Sequence, residues 1–136
     1  MPDSTTLLAL AAEQYVLLTT MRRTGAAVPT PVWIARDGES LVVTTGAESG
    51  KVKRILHTPA VTLQACDRTG TPHQGAPVVH AHATVHDDAG SRERLDAALS
   101  QKYGVQYAAI RAMGKLRGRR ASESIVVRLS ATKEEA

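Results

Sequence analysis

Three basic residues, Lys51, Lys53 and Arg54, stand just beyond a β-branched run, Leu41-Val42-Val43-Thr44-Thr45, that breaks at Gly46. Ser49 opens the short helical pattern that carries them. A strand end, a small-residue turn and a basic first helical turn together suit an anion. The free N–H groups and positive dipole end of a helix point where a phosphate would sit, and Lys and Arg add charge-assisted hydrogen bonds. Lys51 and Arg54, three apart, share a helix face, whereas Lys53 points elsewhere. The same residues would also make a solvated basic face on a short helix, where most charge runs end up. On the residues alone that second reading is favoured.

The other chemistry-bearing side chains are scattered. Arg22 and Arg23 close a strand, so they take opposite faces. His80, His82 and His86 share parity on one strand with Thr84 between them, which raises a metal or haem site. Same-face neighbours on a strand are about 6.6 Å apart at Cα, and no carboxylate supplements them, so a polar solvent- or partner-facing strand surface is favoured and no metal is expected. Cys66 has Arg68 nearby but no adjacent His, which favours a small buried hydrophobe over a nucleophile. Trp33, the one tryptophan, suits a ring cover, an interface or core packing. The run Lys115 to Arg120 reads as a basic surface loop. There is no Ser-His-Asp order, HExxH, Walker loop or telling carboxylate pair, so no catalytic side chain is named. Chemistry carried by a bound cofactor survives that elimination.

Composition narrows the classes. The 136 residues suit a single domain over 1–136, with 43% hydrophobic residues but no Phe, one Trp and three Tyr. The core must be Val, Leu, Ile and Ala, and stacking platforms for nucleic-acid bases are lacking. A net charge of +4 favours anionic partners without naming them. The single Cys66 agrees with a reducing compartment, the N-terminus lacks a signal-peptide pattern, and no apolar run reaches membrane-span length. The expectation is a soluble cytoplasmic protein, with neither membrane nor nucleic acid as partner.

These side chains need elements to hold them. An opening helix lies within 1–13, followed by strands at Tyr15–Met21, Val28–Ala35, Leu41–Thr45, Ala60–Asp67, Val78–Asp87 and Glu123–Ser130. Pro29 and Pro31 confine the second strand to an edge. Asp37-Gly38 turns it onto the third, and Pro59 ends the helix at 49–57. Residues 91–120 form a helical insertion: an amphipathic helix at 91–103 with Leu95, Ala98, Leu99 and Lys102 in register, Gly104 past its end, and a second helix at 106–116. Residues 131–136 read as a frayed tail. Six short strands without β-α-β alternation predict a mainly β fold, an antiparallel barrel with peripheral helices.

Four segments also occur in a familiar order: Val16-Leu-Leu-Thr-Thr-Met-Arg-Arg-Thr-Gly25, Pro29-Thr-Pro-Val-Trp33, Thr44-Thr-Gly-Ala-Glu-Ser-Gly-Lys-Val-Lys-Arg54 and Cys66-Asp-Arg-Thr-Gly70. The chain resembles the split β-barrel flavin/deazaflavin oxidoreductases, the pyridoxamine-phosphate-oxidase-like superfamily. Within it the resemblance points to the actinobacterial branch that uses coenzyme F420. It implies a six-stranded split barrel of the FMN-binding type, forming a homodimer with cofactor sites at the subunit interface. Thr45, Ser49, Gly50, Lys51 and Arg54 would then bind phosphate, Val32 and Trp33 would lie near the ring system, and Thr20 would line the same groove. The implied activity is hydride transfer between reduced F420 and a small unsaturated or quinone-like substrate, with Tyr103, Tyr107 or solvent supplying a proton. The alternatives are an FMN-binding oxidoreductase of the same fold and a non-catalytic F420- or haem-binding protein.

Overall fold

A computed structural model describes residues 4–46, 50–109 and 124–131. Ser49, the basic run Lys115 to Arg120 and the far half of the second expected helix lie outside the described residues. In chain order the elements are α1 (Ser4–Ala9), a 3-10 turn (Leu10–Ala12), β1 (Tyr15–Met21), β2 (Ala27–Trp33), β3 (Ala35–Asp37), β4 (Ser40–Gly46), α2 (Gly50–His57), β5 (Ala60–Cys66), β6 (Val79–His86), α3 (Ala89–Tyr103) and β7 (Ser124–Ala131).

The strands form a single antiparallel sheet ordered β2-β1-β5-β6-β7-β4-β3. Strict alternation builds it. In β1, Val16, Leu18 and Thr20 are buried while Tyr15, Leu17, Thr19 and Met21 between them are not, the period of two that puts alternate side chains on opposite faces. Pro29 and Pro31 lie on β2, an edge strand, where a missing N–H costs least. The β3–β4 hairpin closes through Gly38-Glu39, with Asp37 paired to Ser40 and Gly38 at φ 64. Glycine at the first central position suits a two-residue turn.

The strand count is seven, not six. The expected second strand, Val28–Ala35, breaks at Ile34: β2 pairs with β1, and β3 pairs with β4 at the opposite edge of the sheet. One residue therefore joins the two edges, and the sheet curls into a half-barrel. Ile34 sits in neither ladder because α3 supplies its partners. Its N–H donates to Tyr103 Oη at 3.1 Å, and its carbonyl accepts from Lys102 Nζ at 2.5 Å. The Tyr103 hydroxyl has one proton to share between the carbonyls of Gln14, at 2.7 Å, and Ile34, at 3.0 Å. Lys102 Nζ also donates to the Glu13 carbonyl. Buried backbone groups that leave a ladder must find such substitutes.

Two apolar clusters result. The barrel interior holds Val16, Leu18, Leu41, Val43, Leu63, Ala81, Ala83, Val127 and Leu129, joined by Leu7 and Leu10 from the N-terminal segment and Ile55 from α2. The second cluster lies outside the sheet, where Leu95, Ala98, Leu99 and Tyr103 of α3 cover Ala35, Val42 and Val126. Burying each Leu or Val contributes about 1.5–3 kcal/mol. Helix α3 starts two residues before the expected position because Asp88 caps it, its carboxylate accepting from the Ser91 N–H at 2.9 Å. Gly104, at φ 55, ends it.

Candidate functional site

Helix α2 lies across one end of the barrel. Val52 and Ile55 are buried there, Lys51 and Arg54 are half-buried beside them, and Lys53 and Leu56 face solvent. That spacing puts both cations on the flank where the helix meets β1. Arg54 Nε donates to Thr20 Oγ1 at 2.6 Å. Thr20 is wholly buried, the last barrel-facing residue of β1.

Side chains on a helix slope toward its N-terminus, so the Arg54 guanidinium lies back over the first turn. A methyl carbon on Gly50 would sit 2.6 Å from Arg54 Nη1. Gly50 is there for space, since its φ is not positive. Burial, and then the neighbouring Arg54 charge, pull the Lys51 ammonium below its ordinary range. Among the described residues no carboxylate lies within ion-pairing distance of Lys51 or Arg54. Two cations at the positive end of a helix repel one another. An anion placed between them removes that strain, and phosphate fits the donor set.

Thr20, Gly50, Lys51 and Arg54 are thus brought together. Thr45, one residue before the end of β4, has the barrel-facing parity of Leu41 and Val43. Ser49 lies outside the described residues. Val32 and Trp33 are not in the notch. Trp33 pairs with Tyr15 and Val28 with Thr20, so in one chain the tryptophan lies five residues along the ladder, roughly 17 Å away. Its indole stacks on the Tyr103 ring at 4.1 Å and 5° and meets the Tyr15 edge at 6.5 Å. One face of the indole is therefore already filled by protein.

The two tyrosine hydroxyls named as proton sources both bond within the chain. Burial pushes the Tyr103 hydroxyl up to about 12, and it is committed to the backbone at Ile34 and Gln14. The Tyr107 hydroxyl donates to Asp96. Lys102 and Tyr103 act instead as a latch on the Ile34 break, which sequence reasoning missed. Its only trace is a Lys-Tyr pair ending an amphipathic helix. Burial lowers the Lys102 ammonium to about 8, against a smaller upward pull from Glu13.

His80 and His82 are exposed on the outer face of β6, and His86 bonds to Thr84 Oγ1 at 2.8 Å. Among the described residues no three His, Cys, Asp or Glu side chains are grouped to hold a metal ion. Cys66 is buried, and burial, then the Asp67 and Glu13 charges, push its thiol up, which opposes a reactive thiolate. A concavity of about 540 Å³ lies at the other end of the barrel, between Leu10, Glu13, Ala65, Val79 and the loop at His73–Pro77. No helix among the described residues is long and apolar enough to cross a membrane.

Comparison with known proteins adds to this geometry. A profile of the family described as Pyridoxamine 5'-phosphate oxidase matches residues 5–135. No curated protein matches the chain. Among solved structures, a conserved hypothetical protein from Mycobacterium tuberculosis is similar at a TM-score of 0.70 and 16% identity, over 98% of this chain and 82% of that one. An F420 reductase is similar at a TM-score of 0.58 and 18% identity, over 92% of each chain. A FAD-binding protein from Mesorhizobium loti is similar at a TM-score of 0.61 and 16% identity, over 95% of this chain and 85% of the other. At these identities the likeness is one of fold.

Proposed function

Because the chain belongs to the pyridoxamine 5'-phosphate oxidase family, we propose that it is an oxidoreductase that grips the phosphate of a flavin-type cofactor, coenzyme F420, in the notch between β1 and α2. The observation that carries this reading is the pair Lys51 and Arg54, set side by side at a helix N-terminus with no carboxylate among the described residues to neutralise them. Lys51 and Arg54 would hold the phosphate, and Thr45 and Ser49 flank it along the chain. When bound, the deazaflavin supplies the hydride chemistry that no side chain here offers.

The protein's own work is to bind, orient and exclude water. The acceptor is a small unsaturated or quinone-like molecule, and its proton comes from solvent, since both tyrosine hydroxyls near the core are otherwise engaged. In this reading two copies pair, with Leu17, Met21 and Pro31, half-buried on the outer face of β1 and β2, lying at or near their interface beside the cofactor. The protein works in the cytoplasm. F420 is favoured over FMN by the order of the four segments shared with the F420-using branch and by the surplus of basic residues near the notch, Arg22 and Arg23 included, which suits a cofactor with an acidic tail.

Fluorescence titration with F420 and with FMN tests the proposal. Tight F420 binding followed by turnover of reduced F420 with a quinone acceptor supports it. Tight FMN binding alone moves the protein to the FMN users, and binding without turnover makes it a carrier.

A further inference from the structure

Two polar residues are buried among the described residues, Thr20 wholly and Ser40 nearly so, and each accepts a hydrogen bond from an arginine. The two arginines differ in what completes them. Arg128 donates Nη1 to Ser40 and Nη2 to the Asp37 carboxylate at 2.8 Å, so hydroxyl and acid together finish its fork. Arg54 has the hydroxyl and, among the described residues, no acid. Its Nε is engaged by Thr20, and the two Nη groups at the first turn of α2 have no hydrogen-bond partner among the described residues.

Arginine recognises phosphate best when its planar fork is already oriented, because a free side chain loses rotamer freedom on binding. Thr20 removes most of that freedom from one side. Gly50 does so from the other by leaving the volume that Nη1 occupies; any β-carbon there would displace the guanidinium, the soft end of a flexible chain, before it disturbed the backbone.

We propose that Thr20 and Gly50 are positioning residues that do not touch the ligand themselves: they lock the Arg54 guanidinium so that its two Nη groups meet a phosphate in a fixed orientation. This rests on the phosphate-clamp reading of the notch, and the experiment separates the two. The measured quantity is the affinity ratio between FMN and riboflavin, which differ only by the phosphate and so isolate that contact.

Arg54→Ala is the benchmark and should abolish most of the ratio. Thr20→Val, which keeps shape and loses the hydroxyl, should lower the ratio about fivefold to tenfold while leaving the phosphate-free affinity unchanged. Thr20→Ser should restore it. Gly50→Ala should lower the ratio with the thermal midpoint held or raised, since Ala favours a helix over Gly. Loss of function with gain of stability is an outcome that a purely structural role does not give. Wild-type ratios in Thr20→Val and Gly50→Ala, alongside a collapsed ratio in Arg54→Ala, would overturn the positioning role and leave the clamp standing. An unchanged ratio in Arg54→Ala would sink both. If Thr20→Val fails to fold, Gly50→Ala decides.

Discussion

The two ends of the barrel hold the same kinds of group in opposite states. At the Tyr15 end, Lys102 and Tyr103 lie against the break at Ile34, and their polar atoms meet backbone carbonyls and an N–H of the chain itself. At the Thr20 end, Lys51 and Arg54 meet, among the described residues, one hydroxyl and each other. A buried polar group whose partners are all internal stabilises a fold. Cations left facing one another cost stability until something negative arrives. The first end holds the structure together and the second is the one proposed to hold a ligand, although both are built from basic and hydroxyl-bearing residues.

The sharpest way to break this comparison is to remove both notch cations. Lys51→Ala with Arg54→Ala should lose at least tenfold, and with both contacts direct about a hundredfold or more, in affinity for the phosphorylated cofactor, since a hydrogen bond to a charged group contributes about 1.5–3 kcal/mol. Chemical denaturation of the same variant should show it still folded at close to the wild-type midpoint, because relief of the like-charge pair offsets the hydrogen bond that buried Thr20 loses. Unchanged cofactor affinity would end the clamp.

The complementary change at the latch should behave in reverse. Tyr103→Phe leaves the Ile34 N–H and the Gln14 carbonyl without their hydroxyl partner, and should cost about 1–3 kcal/mol of folding free energy. Its cofactor affinity should match wild type. A variant that binds more weakly yet unfolds at the usual denaturant concentration would show that the latch end belongs to the site.

Alkaline titration sharpens the same contrast. Tyr103, raised from its ordinary 10.0 to about 12, contributes stability that is complete below pH 10 and is lost as pH climbs toward 12. Lys102, lowered from 10.5 to about 8, works with the opposite sign: the unfolded chain binds its proton more readily, so this group favours folding increasingly as pH rises from 8 to 10.5. Stability followed by circular dichroism should therefore gain from Lys102 across pH 8–10.5, set against the loss from Tyr103 that begins near pH 10. The loss above pH 10 should shrink in Tyr103→Phe.

The smallest effect belongs to the ion cluster at the β3–β4 hairpin, a cationic site that the protein neutralises for itself. The Arg128 hydrogen bond, against the cost of burial, and then the charges of Arg128 and Arg94 hold the Asp37 carboxyl below its usual range. Its stabilisation is present above the ordinary carboxylate value and disappears as pH falls below it. Asp37→Asn should cost about 0.5–1 kcal/mol at neutral pH and flatten the acid side of the stability curve. A steep acid limb that survives the substitution would place its origin elsewhere.

Much of the frame was legible because it is written in short periods. The alternation of β1, the Asp37-Gly38 hairpin signal and the α3 stripe of Leu95, Ala98 and Leu99 each involve residues within a few positions of one another. So does the shared face of Lys51 and Arg54. The break at Ile34 was not legible, because its cause lies 68 and 69 residues away in Lys102 and Tyr103. Val28 to Ala35 reads locally as one strand, and only the curl of the sheet asks it to serve two edges.

The sequence by itself determined which residues can form strands and helices, where the chain turns, and that two cations share a helix flank next to a strand end. Periodicity and turn chemistry are local, and a local pattern suffices to state them. Tertiary structure decided that Thr20, 34 residues from Arg54, is the hydroxyl that aims it, that Gly50 serves by its emptiness, and that Trp33 spends one face on Tyr103. Those contacts exist only once the sheet has curled and α2 and α3 have docked on it, because the partners are brought together by burial and not by spacing.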